Sequence, residues 1–185
     1  MKVKEFHIYS FYRFFDHKQK SLSKKKLDSF VSNKLIKGTI LLADEGINGT
    51  ISGERKELDN LISFIRKILK IRKLNIKVNY NSFLPFKRIK IRLKKEIVSL
   101  GKGHFNVIKN SADLINPADW NSIIADKNTT VIDVRNQFEV DIGKFKNAQN
   151  PETNSFRDFP SQLEKMKLKK DKKIAIYCTG GIRCE

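Results

Sequence analysis

Aromatic and β-prone side chains crowd "EFHIYSFYRF" (5–14), which predicts a strand. The stretch "SLSKKKLDSFVSNKLIKG" then sets Leu27, Phe30, Val31 and Leu35 at helical spacing, with Ser21 or Ser23 as a start signal and Gly38 as a stop. An unbroken apolar run, "TILLA" (39–43), is followed by the loop "DEGING" and by "TIS", two strands joined by a glycine-bearing turn. The strongest helical pattern is "ERKELDNLISFIRKILK", where Leu58, Leu61, Ile62, Ile65, Ile68 and Leu69 share one face and Ser52 is the candidate N-cap. Such an aliphatic stripe reads as core rather than as a binding groove. "IKVNY" and "RIKIRL" alternate apolar and polar positions, as half-buried strands do.

The resulting order, strand–helix–two strands–helix–strand, is the split βαβ or ferredoxin-like arrangement, predicted over residues 1–100. A linker is expected at 101–112, opening with "GKGHFN", in which His104 has no partner in the sequence. A second segment, 113–185, begins near "NPADWNSIIAD": Pro117 suits a first helical turn and Asp119 sits favourably near the helix N-terminus. There follow a strand at "TTVIDV", an irregular stretch, a helix from about Pro160 to Lys167, and the strand "KKIAIYC". Two apolar strands separated by helical and loop connections predict a parallel α/β unit. In such sheets the site lies beyond the carboxyl ends of the strands, where Cys178 falls for one strand and Asp133 with Arg135 for the other.

Charge changes the picture. Thirty-eight Lys and Arg face 20 Asp and Glu, for a net charge of +18. Such an excess attracts polyanions, nucleic acid first, through counterion release. Lysine is nevertheless spread along the whole chain beside much Asn and Ile, a pattern that codon bias also produces, so charge alone does not select a partner. No stretch approaches the ~20 apolar residues of a membrane helix, and the amino terminus lacks a secretory pattern. The only two cysteines, Cys178 and Cys184, form no disulfide framework and suit a reducing cytoplasm. They also fall short of four zinc ligands, so no metal is expected.

The candidate chemistry lies in Cys178-Thr179-Gly180-Gly181-Ile182-Arg183. Backbone N–H groups turned inward around a strand-end sulfur form an anion nest, and the two glycines allow that turn without a Cβ clash. With fixed positive charge from Arg183, the nest is expected to lower the Cys178 pKa below the ordinary thiol value of ~8.5. The spacing Cys-x4-Arg is one residue shorter than the Cys-x5-Arg ring of cysteine-dependent phosphatases, which favours a terminal sulfur over tetrahedral phosphate. The bland alternative is a buried structural cysteine, which leaves the glycines and arginine unexplained. Cys184 either resolves an oxidised Cys178 or packs, and packing is the preferred reading.

"VIDVRNQFEVDIGKFKNAQNPETNSFRDFP" with "YCTGGIRCE" resembles rhodanese-like proteins, most closely the bacterial tRNA wobble-uridine hydroxylases. "KGTILLADEGINGTISG" resembles that family's amino-terminal domain and "NPADWNSII" its entry into the rhodanese part. The resemblance implies a ferredoxin-like domain followed by a rhodanese-like α/β domain whose carboxy-terminal part is missing here, since family members continue past this loop. It implies Cys178 as the catalytic cysteine, Thr179 to Arg183 as its loop, and Asp133, Arg135 and Glu139 as polar loop supports rather than direct participants. It further implies 5-hydroxylation of uridine 34 in a tRNA anticodon loop, using molecular oxygen and an unidentified reductant, in the cytoplasm. A sulfurtransferase working through a Cys178 persulfide and a non-catalytic RNA-binding remnant are the alternatives. Oligomeric state is not readable from the sequence.

Overall fold

The computed structural model describes residues 5–101, 113–169 and 171–185. The linker expected at 101–112, with His104, lies almost wholly outside the described residues. Two compact units divide the chain, Met1–Ile97 and Val98–Glu185.

The first unit runs β1 (Phe6–Phe14), α1 (Lys20–Val31), β2 (Lys37–Ala43), β3 (Gly46–Gly53), α2 (Arg55–Leu69), β4 (Asn75–Asn81) and β5 (Ile89–Leu93). The strands form one sheet in the order β4-β1-β3-β2-β5. β1 pairs antiparallel with β3 and β4, and β2 pairs antiparallel with β3 but parallel with β5. This is the ferredoxin-like arrangement with one further edge strand. Helix α2 turns Leu58, Leu61, Ile62, Ile65 and Leu69 inward, and α1 contributes Leu27 and Val31. They meet Tyr9, Phe11, Ile40, Leu42, Ile47, Ile51 and Ile91 of the sheet in a single core. Burying each such side chain is worth about 1.5–3 kcal/mol relative to exposure. Tyr9 also donates its hydroxyl to Asp59 at 2.7 Å, tying β1 to α2, while Arg66 and Lys67 favour the negative end of the α2 dipole.

Several local expectations need correction. Ser52 does not cap α2: it lies fully buried in β3, and Glu54 holds the cap position with an extended backbone. The strand continues to Gly53 because its alternation with β1 and β2 is not yet exhausted. Helix α1 starts after Gln19, with Ser23 inside it rather than before it. The Ser23 hydroxyl and His17 Nε2 lie 3.0 Å apart in the interior. Leu35 falls beyond the helix and is 53% exposed, and Gly38 belongs to β2 rather than to a helix stop. At Gly38, with φ of +127°, an added Cβ would meet the Thr50 carbonyl oxygen at 2.1 Å, so the close approach of β3 is what requires glycine. The loop at "DEGING" shrinks to Asp44 and Glu45, since β3 begins at Gly46. That turn is anchored: Asp44 pairs with Lys20 at 2.5 Å, Glu45 accepts from the Ile97 backbone at 2.6 Å, and Asn48 donates to the Ile97 carbonyl at 2.9 Å.

The second unit contains α3 (Trp120–Ala125), β6 (Thr129–Asp133), α4 (Gln137–Val140), α5 (Phe159–Lys165) and β7 (Lys173–Tyr177), with single 3₁₀ turns at Phe156–Asp158 and Ile182–Cys184. β6 and β7 are parallel, in a register that sets Asp133 opposite Tyr177. Asp119 occupies the α3 cap position without a side-chain bond. The helix expected from Pro160 to Lys167 forms two residues earlier at its carboxyl end, because Lys167 adopts φ of +46°. Gln149 is stitched beside β6 by bonds to Val131 and Asp133, carrying the irregular connection along the strand.

Candidate active site

Both strands of the second unit end at the same edge, which places Asp133 and Cys178 beyond their carboxyl ends. From Tyr177 the chain enters the loop and turns at Gly181, where φ is +89°, before closing into the 3₁₀ turn. That turn brings the Gly181 N–H to 3.0 Å from Cys178 Sγ. The Cys178 thiol is shifted well below its ordinary pKa, first by a hydrogen bond from the Cys184 thiol. Burial opposes the shift, and the N–H groups of Arg183, Gly181 and Gly180 reinforce it. Cys184 moves the opposite way, its thiol held protonated by the same bond.

One expectation changes here. Arg183 acts on the sulfur through its backbone, because its guanidinium is engaged elsewhere: it pairs with Glu139 at 2.8 Å and reaches the Val134 carbonyl at 3.4 Å. Glu139 collects three donors, the Thr179 hydroxyl at 2.6 Å, Arg183, and the Asn136 backbone at 3.1 Å, the last through the capping box of α4. Burial alone would raise the Glu139 pKa, but the bonds from Thr179 and Arg183 outweigh it and hold the carboxyl low. One carboxylate at the start of a short helix thus grips both limbs of the loop.

Asp133 and Arg135 form a separate cluster. The Asp133 carboxylate, fully buried, accepts from Arg135 Nε at 2.9 Å and a terminal Arg135 nitrogen at 2.7 Å, and from the Tyr177 hydroxyl at 2.6 Å. These bonds overcome the burial that would otherwise raise its pKa. The guanidinium also stands 5.5 Å from the Tyr177 ring centre and donates to the Gly143 carbonyl at 2.6 Å. Burial and Asp133 push the Tyr177 hydroxyl up to about 12, so it stays a donor at neutral pH. The cluster fixes the strand end preceding Cys178 and the segment around Gly143 and Phe145. Tyr177 was not singled out from the sequence, where it looked like one more apolar strand position. A tyrosine closing a strand directly before the cysteine was the available signal. Of the two glycines expected to permit the turn, only Gly181 has a positive φ, and a Cβ added at Gly180 would meet nothing within 4 Å.

Among the described residues no group of three or more His, Cys, Asp or Glu side chains is placed to hold a metal, and no helix is long and apolar enough to cross a membrane.

A ferredoxin-like unit followed by a parallel α/β unit with a cysteine-centred N–H ring defines a rhodanese-like two-domain protein. Residues 6–97 match the UPF0176 acylphosphatase-like domain family, and residues 116–185 match the rhodanese-like domain family. The chain is 42% identical over 184 residues to the tRNA uridine(34) hydroxylase of Picosynechococcus sp., covering 99% of this chain and 62% of that protein. Along nearly its whole length the chain is similar to that tRNA uridine(34) hydroxylase, with the two domain families matched in order. The chain thus spans about three fifths of the length of that curated relative. Among solved structures it is similar to the acylphosphatase from Bacillus subtilis, at 12% identity and a TM-score of 0.35 over 47% of this chain and 98% of that one. It is also similar to BlrP1 BLUF, at 13% identity and a TM-score of 0.41 over 51% of this chain and 68% of that one.

Proposed function

We propose that this protein hydroxylates C5 of uridine 34 in the anticodon loop of tRNA, with Cys178 as the catalytic residue and in the cytoplasm. The observation that supports this reading is the Cys178 sulfur at the carboxyl end of β7, with the Gly181 N–H 3.0 Å away and its pKa lowered, in a chain 42% identical to a tRNA uridine(34) hydroxylase. In this reading the thiolate adds to C6 of the uracil ring and makes C5 an enolate carbon. C5 takes up oxygen derived from O2, and loss of the C5 proton with expulsion of the thiolate restores the ring. Each turnover consumes one O2, two electrons and two protons and gives 5-hydroxyuridine and water. The electrons come from an external reductant. The wobble base already lies in a single-stranded loop, so presenting it costs little unstacking.

The test is mass spectrometry of nucleosides from tRNA of cells expressing Cys178→Ala as the sole copy. The expected result is loss of 5-hydroxyuridine and its derivatives, and undiminished modification removes Cys178 from the mechanism. The same nest suits the terminal sulfur of a persulfide, which keeps sulfur transfer as the second reading. Robust thiosulfate-to-cyanide turnover without RNA would favour it.

A further inference from the structure

The helices of the first unit cover one face of its sheet, and strand register defines the residues on the other. Directly opposed residues share a face, so the row containing Ser10 runs Lys77, Ser10, Thr50, Thr39, Lys90 from β4 to β5. It opposes the core positions Tyr9, Phe11, Ile40 and Ile51 in parity along each strand. A cation stands at each end of the row and three hydroxyls lie between them. Ser10 Oγ and Thr50 Oγ1 are 3.2 Å apart. The neighbouring row adds Tyr12 on β1 and Arg92 on β5, and the row on the other side adds Ile8. No Asp or Glu occurs in any of the five strands. The face is half-buried along its centre and exposed at Lys77 and Arg92. Another segment meets the face at the Asn48 end, through the bond from Asn48 to the Ile97 carbonyl, and at the opposite end Ser52, in the row of Ile8, is fully buried, so the open area is the central row and its edges.

We infer that this helix-free face binds single-stranded RNA, with Lys77, Lys90 and Arg92 holding phosphates while bases lie on the hydroxyl row between Ile8 and Tyr12. At ordinary strand spacing the two edges are about 19 Å apart, enough for roughly three nucleotides laid across the strands. Cations confined to the edges match a sugar–phosphate chain entering and leaving. The central hydroxyls suit base edges and 2′-hydroxyls, and a tyrosine and an isoleucine offer flat apolar surface to unstacked bases. A duplex hides those base faces, so it gains only the phosphate contacts. Strands without Asp or Glu distinguish this face from the helical side, where Asp28, Glu57 and Asp59 stand among the lysines. The inference rests on the proposed tRNA substrate for its biological setting and gives that substrate a second contact region.

The test uses the whole chain and a fluorescent single-stranded RNA of about ten nucleotides and mixed sequence. The combined variant Lys77→Gln, Lys90→Gln, Arg92→Gln is compared with Lys25→Gln, Lys26→Gln, Lys67→Gln, which removes the same charge from the helical side. The sheet-face variant should bind about tenfold more weakly at ~0.1 M salt, with the slope of log affinity against log salt reduced by about 2. The helix-side variant should bind as the parent does. Equal losses in both, no loss in the sheet-face variant, or equal competition by a duplex or a glutamate-rich peptide would overturn the inference. Circular dichroism confirms that each variant is folded. Binding is read without turnover, so RNA binding by an inactive Cys178→Ala protein would leave this inference standing even if the hydroxylase reading failed.

Discussion

The two units reach order by different means. In the first, sixteen buried side chains gather into one hydrophobic cluster, closed on one side by α1 and α2. In the second, Ile132 is the one large side chain among the described residues that is wholly inaccessible, while Phe138, Ile142 and Ile174 are more than half exposed. What the second unit has instead is a pair of hydrogen-bonded carboxylates, Asp133 fully buried and Glu139 half-buried. Asp133 ties β6 to β7 and to the Gly143 segment, and Glu139 ties α4 to both limbs of the cysteine loop. An apolar core tolerates small changes gradually, whereas a polar network fails when one member leaves and strands a charge. The difference places rigidity in the unit with the fewest moving requirements and conditional order around the reactive sulfur.

The largest effect that tests this contrast comes from Asp133→Ala, which leaves the Arg135 guanidinium without its partner. It should cost about 3–5 kcal/mol, confined to the second unit, so that hydrogen exchange speeds in β6 and β7 while β1 and β3 keep their protection. The mirror variant, Leu61→Ala, should cost about 2–5 kcal/mol in the first unit, leaving Cys178 alkylation unchanged. Exchange spreading across both units in either variant would erase the distinction between them.

Acidification is expected to act next. Asp133 and Glu139 have folded pKa values below their unfolded ones, so their stabilisation is full above about pH 4 and is lost as pH falls through the folded values. The buried His17 is also depressed, first by burial, so the first unit loses stability as pH falls below about 6.5 through its folded value. A pH series of thermal melts should therefore show the His17-dependent decline first and a steeper one near pH 4. His17→Gln should remove only the earlier part.

The smallest effect concerns reactivity alone. Cys184→Ala removes the strongest influence lowering the Cys178 pKa, so the pH midpoint for alkylating Cys178 should rise, with the three N–H donors still keeping it below an ordinary thiol. An unchanged midpoint would mean that the backbone ring suffices by itself.

The elements of the first unit were legible because each carries an unambiguous period: the α2 stripe can only be helical, and "RIKIRL" alternates as a strand. The placement of β5 was not, since alternation says nothing of which edge a strand joins. Caps were misread where tertiary pairing extended a strand, as at Ser52, or where a close backbone approach rather than a helix end called for glycine, as at Gly38. In the second unit, the glycines at 180 and 181 marked where the chain turns back on the sulfur. The division of labour among the charges was hidden. Nothing local indicates that Glu139 takes the Arg183 guanidinium, or that register sets Tyr177 against Asp133. Those facts belong to long-range geometry, with partners 44 residues apart in sequence.

Strands β4 and β5 are consecutive in the chain yet occupy opposite edges of the sheet. Residues 82–88 must therefore traverse its full width, about 19 Å at ordinary strand spacing, with a reach of about 26–29 Å when fully extended. Little slack remains, and the far end is fastened by the Gly38 N–H to the Arg88 carbonyl and by Lys37 to the Lys87 carbonyl. Shortening this strap by two or three residues would leave β5 unable to dock and strip β2 of its neighbour. The bare margin would then be free to recruit a foreign strand, so that the shortened chain self-associates through it.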